Sequence, residues 1–313
     1  MDENTQFSPR IVAKAIGVSE SSLKRWCDQG LIQTSRTAGG HRRLKRSEVI
    51  RFVREQNISV AEPEVIGLPA LTNGAADNEE ALVELLRDAL VSGKEVVARQ
   101  LIFNLFVSGW ELYRIFDDVI GRAFEMIGEM WEANQIDIYR ERYAGEITMN
   151  VLRELRVNLP EVSPDAPLAI GAGLSGDHYS LPSLMVEMML RSLGWKARAL
   201  GTNIPLDSLH TASADFKPRL FWVSLSHIET EIYSQTSGFT QRFNRFADTL
   251  PADTALVLGG RAISPELRRQ LRFTVCFDNM KQLHSYVVNP NHFKVADSAH
   301  QMDNGVVKQS PVE

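Results

Sequence analysis

Apolar residues recur every three or four positions through EEALVELLRDALVSGK, EVVARQLIFNLFVSG, WELYRIFDDVIGRAFEMIGEMWEANQ and IYRERYAGEITMNVLRELRVNL. That period predicts four amphipathic helices, and the short SGK and VSG breaks between the first three predict a four-helix bundle over residues 77–160. The rhythm then changes. Strand-like runs PLAIGAGL, KARALG, RLFWVSLSH, TALVLGG and FTVCFD alternate with helical stretches, so residues 161–288 read as five βα units in a doubly wound parallel sheet. Residues 7–56 hold short helices broken by glycine. Between this head and the bundle, residues 57–76 carry two prolines and no sustained period, the pattern of a linker. Residues 1–6 and 289–313 read as tails, the second polar, aperiodic and expected to be disordered. The fold class is therefore multidomain, α and α/β.

The head has helix-turn-helix logic. Ser8 can cap a first helix with Pro9 at its first position; Ile11, Val12 and Ile16 would face inward, and Gly17 permits the turn. Ser19 can cap a second helix, with Leu23, Trp26 and Cys27 toward the core and Ser21, Lys24, Arg25 and Asp28 outward. A helix of this width fits a DNA major groove, where arginine can bond guanine through two donors. Gly39-Gly40 then reads as a hairpin tip, followed by His41, Arg42, Arg43, Lys45 and Arg46. Such a wing lies against phosphates and supplies affinity and salt dependence, not sequence choice. Ser47 is placed to cap the next helix, with Val49, Ile50 and Val53 beneath the wing.

Charge supports that division. The chain's net charge is −5, but residues 1–56 carry 11 Lys+Arg against 6 Asp+Glu while the remainder carries 23 against 33. A basic head on an acidic body predicts that the head alone meets a polyanion. Composition is that of a globular protein, 44% hydrophobic and 23% charged. No apolar run reaches the ~20 residues of a membrane helix. The N-terminal MDENTQFSPR has neither a basic start nor an apolar core, so no signal peptide and no membrane partner are expected. Cys27 and Cys276 are too far apart in sequence to suggest a disulfide framework, which points to a reducing cytoplasm.

The ordered set VAKAIGVS, LKRWCDQGLI and GGHRRL, followed by the capped helix, resembles the winged helix-turn-helix of the MerR family across residues 7–54. The resemblance implies a transcription regulator on double-stranded operator DNA. Arg25 and Ser21 would sit at base edges, Lys24 beside them, and Arg36, His41, Arg42, Arg43 and Lys45 at phosphates. RNA polymerase is an implied partner. MerR-type proteins usually continue into a long dimerising helix; here the helix ends near Gln56, so an expected homo-oligomer would form through the later domains and read an inverted repeat.

A helical bundle followed by a five-unit parallel sheet resembles the cobalamin-binding module of corrinoid proteins and of light-sensing MerR-type repressors, across residues 77–288. The resemblance implies a flat cofactor on the carboxyl ends of the strands, a loop histidine on cobalt from below, a nucleotide tail in a groove of small residues, and the bundle as cover. The family's acidic–x–His–x–x–Gly loop corresponds to Gly176, His178 and Leu181. The histidine is present; the acid stands one place off as Asp177, and the glycine is replaced. His178 is thus the candidate cobalt ligand, with Ser224, Ser226, Gly259 and Gly260 along the tail. The cap signature, Trp–nine residues–Glu-His, is met by Trp131 and Glu141 but ends in Arg142, which stays protonated and cannot bind cobalt. Cobalamin is the one cofactor implied. The competing expectation is a sensor that kept the fold, with the groove closed by Tyr179, Leu181 and Pro182 or filled by another ligand.

Enzymatic chemistry has little purchase. No G-x-S-x-G occurs; Gly171, Gly173 and Gly176 have dinucleotide spacing, but RALGTNIP after the second strand lacks the ribose-binding acid. His210, His227 and His284 lack metal-ligand spacing. The expectation is a regulator and not an enzyme, with a corrinoid carrier for a methyltransferase as the alternative.

Overall fold

The computed structural model describes residues 5–69, 78–226 and 236–293. In the head, α1 (Pro9–Ala15) and α2 (Glu20–Asp28) start at the two expected serines: Ser8 Oγ accepts from Ile11 N and Ser19 Oγ from Ser22 N. Gly17 turns the chain between them at φ +68°, a conformation that favours glycine. The wing is β2 (Ser35–Arg36) and β3 (Arg42–Lys45), joined through Gly40 at φ +78°. A third strand, β1 (Gln6–Phe7), pairs antiparallel with β3, so the segment read as a tail contributes Gln6 to the sheet.

Helix α3 (Arg46–Glu55) follows β3 directly. Its N-cap is Lys45 without a side-chain bond, and Ser47 lies inside the first turn, not at the cap expected of it. Val12, Ile16, Leu23, Leu44, Ile50 and Phe52 form the head core, with Trp26 against Phe52 at 5.1 Å. Ile11, expected inward, is exposed.

The connection is partly folded. Ala61 and Glu62 N–H both donate to Ala15 O, and a 3-10 turn, Pro63–Ile66, buries Ile66. Residues 70–77 of the expected linker lie outside the described residues.

The bundle comprises α4 (Glu79–Val91), α5 (Glu95–Val107), a composite third helix and α8 (Ile138–Arg156). The composite runs α6 (Leu112–Arg114), a π-helical segment (Ile115–Gly121) and α7 (Arg122–Glu132). A continuous helix would satisfy the 3.6 period; the wide turn is where Asp117 leaves the bundle to reach the next domain.

The sheet has strand order β5-β4-β6-β7-β8, all parallel, from β4 (Leu168–Gly173), β5 (Lys196–Ala199), β6 (Leu220–Ser224), β7 (Ala255–Gly259) and β8 (Val275–Phe277). Its helices are α9 (Leu181–Ser192), α10 (Leu206–Phe216), α11 (Thr236–Thr249), α12 (Pro265–Gln270) and α13 (Met280–Val287). Alternation divides the faces. Ile170, Ala172, Phe221, Val223, Leu256 and Leu258 pack with Leu209 of α10, Phe243 of α11 and Leu267 of α12. Ala169, Leu220, Trp222 and Val257 belong to the other core, which continues through α9 and the bundle into the head. After α13, a 3-10 turn, Pro290–Phe293, packs Phe293 on Trp195 at 4.8 Å, so the segment read as tail begins folded; residues 294–313 lie outside the described residues.

Polar ties join the units. Asp117 accepts from Met280 N (3.0 Å) and Lys281 N (2.9 Å), holding the start of α13 against the bundle. Burial pushes its carboxyl above the ordinary range, although both N–H bonds oppose that. The head is tied by Arg54, whose guanidinium donates to Phe106 O and, from both terminal nitrogens at 3.2 Å, to Trp110 O. Burial lowers the Arg54 pKa.

Candidate nucleic-acid interface and cofactor seat

On α2, Ser21, Lys24 and Arg25 are all exposed, as an element that enters a groove requires. Lys24 pairs with Glu20 one turn back at 2.7 Å, and Ser21 Oγ lies 3.1 Å from the capping Ser19 Oγ. Arg25 makes no ion pair among the described residues. In the wing, Arg36 and His41 are exposed and Arg43 is half-buried.

Two basic residues expected at phosphates are used within the protein. Arg42 pairs with Asp28 and donates to Lys24 O (3.2 Å), fastening the wing to the end of α2, and the bond to Asp28 raises its pKa. Lys45 pairs with Glu161, beyond the bundle. Both pairings have one physical reason: a carboxylate lies within reach of the cation. Sequence reasoning also missed the docking role of Arg54. An arginine in a helix with an inward apolar stripe was the available signal, but carbonyls supplied by another domain leave no mark in the local pattern.

Cys27 and Cys276 lie in the head and the sheet domain, and burial pushes both thiols up, away from the reactive thiolate. Among the described residues no three His, Cys, Asp or Glu side chains gather as a metal site, and no helix is long and apolar enough to cross a membrane. His227, noted above, lies outside the described residues.

At the carboxyl end of the sheet, His178 is exposed and makes no hydrogen bond among the described residues. Its neighbour Asp177 is fully buried and serves a different purpose. One carboxylate oxygen accepts from Tyr179 N (2.9 Å), the other from Ser226 N (2.6 Å), and its carbonyl accepts from Asn203 N (3.0 Å). Asp177 therefore staples three loops together and does not orient the histidine.

Below this loop, Gly171, Gly173, Trp222, Ser224 and Gly259 share one sheet face, with Gly171 beside Trp222 and Gly173 beside Ser224 in register. The Trp222 indole lies across Gly171, where a Cβ would come within 2.1 Å of the ring. Its Nε1 donates to Ser183 Oγ in the first turn of α9 (3.1 Å), and Ser183 Oγ is 3.1 Å from Ser224 Oγ. The glycine pair is also accounted for internally. A Cβ on Gly260, at φ +127°, would sit 2.1 Å from Leu225 O, and one on Gly259 would touch Phe277 O at 3.4 Å. Ser226 Oγ is buried and has no hydrogen-bond partner among the described residues.

In the bundle, Trp131 lies in the last turn of α7 and is 44% exposed. The Glu141 side chain is nearly buried, with one oxygen 3.3 Å from Arg142 but without hydrogen-bond geometry. The Arg142 guanidinium lies over the Tyr179 ring at 4.9 Å, so bundle and loop touch directly. A flat macrocycle between them needs about 7–8 Å, two van der Waals contacts of ~3.5–4 Å. With these side chains in place, the space beneath the loop does not fit a nucleotide tail, and a corrin ring above His178 would have to part Arg142 from Tyr179. Arg142 is brought against Tyr179, Ser226 against Asp177 and Ser224 against Ser183, while His178 stays exposed.

A reading helix with its wing, joined to a helical bundle and a five-stranded sheet of order β5-β4-β6-β7-β8, defines a two-part protein: a helix-turn-helix head on a B12-binding-type body. Comparisons with known proteins agree. The family described as "Helix-turn-helix domain" matches residues 7–57, and that described as "B12 binding domain" matches residues 82–156. The chain is similar to the "HTH-type transcriptional repressor CarA" of Myxococcus xanthus, 24% identical over 277 residues, spanning 83% of this chain and 88% of that protein. Residues of the body share the fold of the monomethylamine corrinoid protein of Methanosarcina barkeri: TM-score 0.56 at 18% identity, over 67% of this chain and 98% of that one.

Proposed function

We propose that this protein is a sequence-specific DNA-binding transcriptional regulator of MerR type, cytoplasmic and homo-oligomeric, whose body senses a ligand or assembles the oligomer. The observation that carries the reading is the exposed Arg25 on α2 beside a wing fastened to that helix by Arg42 and Asp28. The helix reads base edges, Arg36, His41 and Arg43 meet phosphates, and Arg42 and Lys45 hold the wing in place. RNA polymerase is the further partner proposed.

The similarity to a curated repressor across both domains supports regulation over catalysis. Cobalamin, the cofactor of the matched family, would supply a cobalt–carbon bond as the sensed chemistry, and His178 is the residue at its ligand position. The corrinoid-carrier alternative shares the body fold but leaves the helix-turn-helix head without a role.

The test is a gel-shift titration with the full chain over a range of salt concentrations. Arg36→Ala with Arg43→Ala is expected to weaken binding to every duplex and to flatten the log–log salt slope by about 2, at ~0.9 per lost phosphate contact. An unchanged slope removes the wing from the interface.

A further inference from the structure

We infer that Trp222 is an internal competitor for a corrinoid's nucleotide tail: its indole fills the groove beneath the His178 loop and decides which corrinoids the body admits. The inference rests on the reading of residues 82–156 and the sheet as a B12-binding-type body.

The indole lies over Gly171, on the sheet face toward α9, directly under the carboxyl ends of β4 and β6. It is 1% exposed. Its Nε1–H is satisfied by Ser183 Oγ, and Ser183 is in turn bonded to Ser224, the very serine expected to line the tail. A planar, aromatic, hydrogen-bonded group thus occupies a slot bounded by small residues. An incoming heteroaromatic base would need the same space. Gly171 explains how the slot is made: any side chain there would collide with the ring. Nothing else in the region requires a glycine at that position, because β4 is a regular strand with ordinary parallel pairing on both sides.

Apparent affinity for a tail-bearing corrinoid is divided by the inverse of the fraction of molecules in which the slot is empty. Emptying it permanently raises affinity by that factor, at least about tenfold if the open form is below a tenth of the population. A corrinoid without a tail never competes with the indole, so its affinity is indifferent to Trp222. The Arg142–Tyr179 contact, by contrast, closes the space of the ring itself and acts on both ligands alike.

The experiment compares hydroxocobalamin with cobinamide, which lacks the nucleotide tail, by the corrin absorption retained on full-length protein after gel filtration and by equilibrium titration. Trp222→Ala is expected to gain at least about tenfold for hydroxocobalamin and to leave cobinamide within twofold. Ser183→Ala keeps the core volume but removes the indole's acceptor, and should shift hydroxocobalamin in the same direction by less; circular dichroism establishes that both variants fold. Arg142→Ala is expected to improve both corrinoids equally. No gain for hydroxocobalamin in folded Trp222→Ala, or an equal gain for cobinamide, overturns the inference. So does wild-type protein that binds hydroxocobalamin more tightly than cobinamide, a result that needs no variant. Operator binding is scored separately, so failure of the regulator reading shows as a lost gel shift while corrin uptake remains measurable.

Discussion

Replacing Arg54 by alanine should release the head from the bundle. The guanidinium meets Phe106 O in the last turn of α5 and Trp110 O in the turn that follows, and stacks on the Phe106 ring at 4.2 Å. Hydrogen bonds from a charged donor contribute ~1.5–3 kcal/mol each, and a partly desolvated cation–π contact roughly 1 more. Burial of the cation, visible in its lowered pKa, offsets part of that sum. A net of about 2–4 kcal/mol remains, because alanine also removes the side-chain donors from Phe106 O and Trp110 O. Hydrogen–deuterium exchange followed by mass spectrometry reads this directly. Amides of α3 that open by undocking should lose roughly 30- to 1,000-fold in protection, at 1.4 kcal/mol per tenfold. Arg54→Lys, a point charge without the planar fork, should fall between alanine and wild type. Arg51→Ala is the control: Arg51 pairs with Glu48 (2.9 Å) and Glu55 (2.6 Å) of its own helix. Protection of α3 within threefold of wild type in Arg54→Ala refutes the docking role.

Arg25→Ala should relax sequence preference at a cost of ~1–3 kcal/mol on the best operator while leaving the salt slope nearly unchanged; binding competition across a duplex library reports it. Leu23→Ala, at a fully buried position of α2, should cost about 2–5 kcal/mol in urea unfolding. Asp117 has a pKa raised by burial, so the folded state holds its proton more tightly than the unfolded chain does. Its stabilising contribution is full below the ordinary carboxylate pKa and is lost as pH rises through the raised one. Wild type should therefore gain stability relative to Asp117→Asn as pH falls from neutrality through that window; urea midpoints at several pH values check this, and a flat difference counts against it.

The domain order and all five strands were legible because they depend on local periodicity: Leu168–Gly173 and Leu220–Ser224 are continuous apolar runs, as strands covered on both faces must be. The DNA-reading face was partly legible. Ser8 and Ser19 announce their helices, yet nothing local says that Arg42 will find Asp28 or that Lys45 will find Glu161, 116 positions away. The cofactor seat was legible as motif departures at Gly176, Leu181 and Arg142. The competing expectation named Tyr179, Leu181 and Pro182 as closing residues; the part of Trp222 was not legible, since it looks like any strand aromatic until Gly171 and Ser183 are seen beside it. The π-helical segment was invisible for a similar reason: IFDDVIG fits an ordinary helical period equally well.

That segment has an evolutionary corollary. A wide turn absorbs one surplus residue while the helices on either side keep their faces. Length variation there would leave Ile127 of α7 buried in its bundle layer yet move Asp117 off the start of α13. The grip of the helical cover on the sheet is thus adjustable by a single codon gained or lost within this segment.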